Sequence, residues 1–213
     1  MQNTPLWIEL AAITSSALAG ALVAVAARFD IFGVMALGMV SGLGGGIVRD
    51  ILLNHVPLAL TQAWYIPAAV AAAALVAILS KQTARLSGLL MVSDAAALGF
   101  YALTGASLAM QSNLNAMPVI LVALAACLSG GAIRDLLTSN KVAIMQRGHP
   151  YALAALIGIL FYLLAINLGM ERGLSGVLMV AVIFTLRLAA HWLDWKTPRA
   201  VDITEQIKQR RGS

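Results

Sequence analysis

The residues with the most chemistry in this chain are charged side chains set inside apolar runs. From Gly42 to Asp50 the sequence reads GLGGGIVRD, and from Ser129 to Asp135 it reads SGGAIRD, with Arg49 and Arg134 standing 85 positions apart. An arginine or aspartate at the bilayer centre costs about 2.5–3.5 kcal/mol on insertion scales. Each glycine in a helix interior costs about 1 kcal/mol relative to alanine. Gly44, Gly45 and Gly46 in a row therefore predict a broken or kinked helix, whose freed carbonyls and amides must meet protein or water rather than lipid. That is how a solute pathway is commonly built.

Other chemistries find no support in the residue pattern. No Lys-Ser/Thr follows the glycines, and no G-x-G-x-x-G frame or flanking strand accompanies them, so the motif is not a nucleotide loop. His55, His149 and His191 are scattered without metal-ligand spacing, and no Ser-His, Cys-His or metal constellation appears. The sequence thus points to no enzyme, no metal and no cofactor. Cys127, the single cysteine, falls in a predicted span, which excludes an intrachain disulfide.

The elements that must position the charged pairs are membrane helices. Of 213 residues, 61% are hydrophobic and only 11% charged, with a mean hydropathy of +0.88. A soluble domain would hold about a quarter charged residues. Seven segments are long enough to span, at 6–27, 31–53, 62–80, 88–110, 116–138, 150–169 and 173–193, joined by short loops. The first lacks a basic leader and carries Glu9, so it reads as a retained helix despite an A-x-A pattern at Ala24 and Ala26. Trp7, Trp64, Tyr65, Trp192 and Trp195 fall near predicted ends, as in an aromatic belt. Pro67 and Pro118 lie in first turns, where proline is tolerated. The net charge of +5 reflects membrane topology rather than nucleic-acid binding. Arg28, Lys81, Arg85, Lys141, Arg147, Lys196, Arg199, Lys208, Arg210 and Arg211 fall on one side and Arg172 on the other, so the positive-inside rule places the N-terminus outside and the C-terminus in the cytoplasm.

The offset of 85 extends beyond the glycine motif. Glu9 aligns with Asp94, Leu18 with Leu103, Gly20 with Gly105, Gly45 and Gly46 with Gly130 and Gly131, and Arg49–Asp50 with Arg134–Asp135. Three helices repeat as three. Because three is odd, the second copy enters the membrane from the opposite face, which makes an inverted repeat with one helix added. The units are 1–87, 88–170, a seventh helix over 171–195, and a cytoplasmic tail over 196–213. Arg49 and Asp50 point in different directions on a helix, so each arginine needs a partner from another helix. Position along the helices pairs Glu9 with Arg49 toward the outside and Asp94 with Arg134 toward the cytoplasm. Against these readings, Gly38, Gly42 and Gly46 recur every four residues as a helix-packing pattern, and the arginines are near enough to helix ends to snorkel. Arg187 stands alone, as an interfacial anchor beside Trp192.

With paired glycine-Arg-Asp motifs, seven spans and a three-plus-three-plus-one plan, the chain resembles the prokaryotic branch of the TRIC family, the trimeric intracellular cation channels, over about residues 6–193. The resemblance implies a homotrimer in membrane lipid, with a potassium-permeable pathway inside each subunit between two glycine-kinked helices. Gly44, Gly45 and Gly46 match the first kink and Gly130 and Gly131 the second, where Ser129 replaces a glycine and makes a milder bend. It also implies location in a bacterial or archaeal inner membrane. Backbone carbonyls at a kink are ligands that suit potassium, provided the nearby arginines are neutralised. Inverted repeats serve transporters equally well, so a secondary transporter of a small solute such as an amino acid is the competing reading.

Overall fold

The computed structural model describes residues 5–79, 86–140, 142, 151–193 and 195. These form eight helices: α1 (Leu6–Ala26), α2 (Ile31–Leu52), α3 (Leu58–Thr61), α4 (Tyr65–Leu79), α5 (Leu86–Gln111), α6 (Ala116–Leu137), α7 (Tyr151–Asn167) and α8 (Arg172–Trp192). The protein is an all-α polytopic membrane protein. Its helices follow the seven predicted segments within a few residues, and α3 is a single extra turn inside the loop after α2. Five helices are long and apolar enough to cross a membrane. Besides the short α3, the described parts of α4 and α7 hold 15 and 17 residues. The tail over 196–213, His149 and most of the basic residues in the orientation count lie outside the described residues.

Where helices end, the backbone shows the repeat. Arg28, Asn54, Asn113 and Ser139 all take φ between 55° and 60° just past a helix. Each lets the next amide reach back five residues: Phe29 to Ala24, His55 to Asp50, Leu114 to Ala109 and Asn140 to Asp135, at 2.9–3.3 Å. This closure satisfies carbonyls that the helix leaves unpaired. Arg28 and Asn113 are 85 apart, as are Asn54 and Ser139. The two halves therefore turn at equivalent positions.

Packing follows the same plan. α1 lies against α2, α4 and α5, and α5 against α1, α6 and α8, while α2 and α6 meet each other. Small residues set these distances. A Cβ on Gly20 would stand 2.5 Å from Cβ of Ser41, and one on Gly105 would stand 3.0 Å from Cβ of Ala126. Both members of the second contact are 85 residues from those of the first. Glycine here allows α1 onto α2 and α5 onto α6 at backbone distance, where dispersion replaces the hydrophobic drive that lipid removes. Trp7, Trp64, Trp192 and Trp195 are exposed at helix ends, whereas Tyr65 is buried and departs from the expected belt. It turns inward because the first charged cluster occupies the space beneath it.

Candidate functional site

Two buried charged clusters sit at opposite ends of the α2–α6 pair. In the first, Arg49 is fully buried and spreads its guanidinium between two carboxylates: Nη1 lies 2.7 Å from Glu9 of α1, and Nε lies 2.8 Å from Asp50. The other Asp50 oxygen accepts the Leu58 amide at 2.7 Å, which ties the start of α3 to the end of α2. The long-range pair is the one that position along the helices called for. The neighbour pair is not, and it corrects the expectation that Arg49 and Asp50 cannot meet. Consecutive Cβ atoms diverge by about 100° on a helix, but the arginine stem is long enough to bend back over its own helix. A Cβ on Gly46, one turn earlier, would be 3.9 Å from Arg49 Nη2, an ordinary contact.

The second cluster repeats the first and adds to it. Arg134 Nη1 lies 2.9 Å from Asp94 of α5, and Nε lies 3.0 Å from Asp135. Gly131 stands to Arg134 Nη2 as Gly46 does to Arg49, at 3.6 Å. The Tyr151 hydroxyl donates to Asp94 at 3.2 Å, and Arg187 of α8 reaches the same carboxylate at 3.4 Å while stacking 4.3 Å over the Tyr151 ring. Arg187 is thus a member of this cluster and not the isolated interfacial anchor its sequence position suggested. The charge balance differs between the ends. Among the described residues, two carboxylates face one guanidinium in the first cluster, and two face two in the second. In a low-dielectric medium this difference carries large energies.

Between the clusters the two glycine motifs meet face to face. A Cβ on Gly45 would sit 2.5 Å from the Ala126 carbonyl oxygen and 3.2 Å from the Tyr101 ring. One on Gly130 would sit 2.8 Å from the Ser41 carbonyl and 3.3 Å from the Ser16 hydroxyl. Adding 85 to Gly45, Ser41 and Ser16 gives Gly130, Ala126 and Tyr101, so the contacts are reciprocal, as a two-fold axis between α2 and α6 requires. Neither helix breaks at its glycines, and both run helical to Leu52 and Leu137. At these glycines α2 and α6 pack backbone to backbone. Gly44 and Gly45 face α6, Gly42 faces Ala17 of α1, and Gly38 faces Ala73 of α4. The glycines of α2 thus admit neighbours on three sides, α1, α4 and α6.

The seam is also polar at mid-depth, a feature the sequence reading missed. Ser16 donates to the Ser41 carbonyl at 2.8 Å, and the Tyr101 hydroxyl donates to the Gly42 carbonyl. Ser129 Oγ and Arg49 Nη2 are buried without a hydrogen-bond partner among the described residues. A cavity of about 10 Å³ lies beside Arg49, bounded by Glu9, Asp50, Tyr65 and Tyr101. It is about the size of one water centre. The signal for Ser16 and Tyr101 was present in the sequence: both are polar residues inside apolar spans, and they are 85 apart.

Comparison with known proteins fits this geometry. A family model described as glycine transporter matches residues 6–81 and again 91–167, once for each half. A solved TRIC cation channel is 31% identical, with a TM-score of 0.82 over 92% of this chain and 96% of that one. The chain belongs to the TRIC family. A second solved member, the TRIC orthologue from Rhodobacter sphaeroides, is 29% identical with a TM-score of 0.82, covering 88% of this chain and 97% of its own. Among curated relatives, the UPF0126 membrane protein YvgT of Bacillus subtilis is 32% identical over 90% of this chain and 94% of that protein. The UPF0126 membrane protein of Deinococcus radiodurans is 35% identical over 71% and 72%.

Proposed function

We propose that this TRIC-family protein is a channel for monovalent cations, potassium among them. Its pathway follows the α2–α6 seam inside each subunit, and three subunits assemble in the inner membrane with N-termini outside. The observation that carries this reading is the sequence of oxygen ligands along the seam. Glu9 and Asp50 lie at one end. The carbonyls of Ser41 and Gly42 and the hydroxyls of Ser16, Tyr101 and Ser129 lie in the middle, and Asp94 and Asp135 lie at the other end. Oxygens of this kind replace the hydration shell of potassium. The arginines at both ends are held by carboxylates, which lowers the barrier they would otherwise raise against cations. The solved relatives described as TRIC cation channels support the same reading. In the structure the glycines close the seam, so conduction requires α2 and α6 to separate by the width of an ion.

A second reading, secondary transport of a small solute, is favoured by the family model's description as glycine transporter. The two differ in what they do without a coupled gradient. Purified protein in a planar bilayer between unequal potassium chloride solutions is expected to give unitary currents that reverse near the potassium equilibrium potential. Folded protein that stays silent across voltages, yet exchanges labelled glycine across vesicles, would transfer the assignment to the transporter.

A further inference from the structure

A groove of about 1050 Å³ lies away from the α2–α6 seam, between the start of α1, the second half of α5, the end of α7 and the first half of α8. Its walls are apolar, with Phe100, Val177, Val180 and Phe184 along them, so it suits neither an ion nor water. Along the floor α5 and α8 touch through glycine: a Cβ on Gly99 would be 3.1 Å from Val180, and one on Gly176 would be 2.9 Å from Leu103. The charged residues lie at one end, where Trp7, Gln111, Glu171 and Arg172 form the mouth, and the hydroxyls of Ser107 and Tyr162 within the groove pair with each other at 3.4 Å.

Length and charge identify the occupant. On α5 the groove runs from Gln111 to Ala96, and on α8 from Gly173 to Phe184. At 1.5 Å per residue these are about 22 Å and 17 Å. One leaflet of hydrocarbon is about 15 Å deep, half of a core of about 30 Å. The groove is therefore about one leaflet deep along α8 and about half a leaflet deeper along α5, and its mouth lies at headgroup level, where exposed Trp7 also sits. A helix from a second copy would cross both leaflets, further than the groove runs on either wall. Glu171 and Arg172 are adjacent and exposed, one of each sign. A zwitterionic headgroup presents the same two signs, an ammonium for the carboxylate and a phosphate for the guanidinium.

We propose that this groove holds the acyl chains of one zwitterionic glycerophospholipid from the leaflet on the N-terminal side. The site is independent of the ion pathway. The test is native mass spectrometry of the full chain, extracted from nanodiscs made with equal phosphatidylethanolamine and phosphatidylglycerol. Wild type is expected to retain about one phosphatidylethanolamine per subunit. Ala181→Trp, which fills the groove from an exposed wall position, is expected to lower occupancy by about tenfold, equivalent to about 1.4 kcal/mol. Val177→Trp fills it from a second position in case the first variant misfolds. Glu171→Gln with Arg172→Gln is expected to abolish the preference for phosphatidylethanolamine while the chains still bind. Wild type without retained lipid, or tryptophan variants that are folded and keep wild-type occupancy, overturns the proposal. Loss of the oligomer in those variants with lipid load unchanged also overturns it, and marks the groove as a subunit contact.

Discussion

At the scale of single residues, the glycines of the first motif separate into two roles that their adjacency conceals. Gly45 faces a backbone oxygen, which cannot turn aside, at 2.5 Å from where a methyl would stand. Gly46 has nothing nearer than 3.8 Å. Gly45→Ala should force α2 and α6 apart and lower stability by about 1–3 kcal/mol, as overpacking does. Gly46→Ala meets ordinary contact and gains helix propensity of up to about 1 kcal/mol, so it should be neutral or slightly stabilising. Thermal unfolding of both variants in one detergent checks this. Equal losses at the two positions would return the triplet to a bending role and remove the packing account.

At the scale of elements, the clusters link helices through charge, and their unequal balance has consequences. Arg49→Gln strands two buried carboxylates and should cost about 3–5 kcal/mol. Glu9→Gln leaves one guanidinium beside one carboxylate and should cost only about 1 kcal/mol. The equivalent change in the second half runs the other way. Asp94→Asn takes the shared carboxylate from both Arg134 and Arg187, and it should be far more damaging than Glu9→Gln. Adding Arg187→Gln restores the balance, so the double variant should be more stable than Asp94→Asn alone. A double-mutant cycle on thermal stability should return a coupling of about 1–3 kcal/mol; additive effects would detach α8 from the cluster. Much of this was legible in the sequence. Charges inside apolar spans must find partners, and the offset of 85 aligned Glu9 with Asp94 and Arg49 with Arg134. Three features were not legible. The Arg49–Asp50 contact depends on a flexible stem folding back over its own helix, which Cβ directions do not reveal. The unbroken course of α2 depends on α6 arriving at backbone distance to replace the packing that side chains would give. Arg187 joins Asp94 across 93 residues from a helix outside the repeat, so periodicity carried no sign of it.

At the scale of the whole molecule, the reciprocal glycine contacts and the repeated helix closures describe two halves related by a two-fold axis between α2 and α6. An axis lying in the membrane plane puts equivalent positions on opposite faces, whereas one along the membrane normal puts them on the same face. His55 and Asn140 are such a pair. They are 85 apart, both are exposed, and each follows the left-handed residue that ends its helix. His55→Cys and Asn140→Cys can be read against native Cys127, which is buried within α6 and should stay unlabelled. The excess of basic residues on the side of Asn140 predicts that this side is cytoplasmic. With a membrane-impermeant maleimide on intact spheroplasts, His55→Cys should label directly and Asn140→Cys only after lysis. The opposite pattern would keep the inversion and reverse the orientation. Labelling of both cysteines from outside would remove the inversion itself, and with it the placing of one charged cluster at each end of the α2–α6 seam.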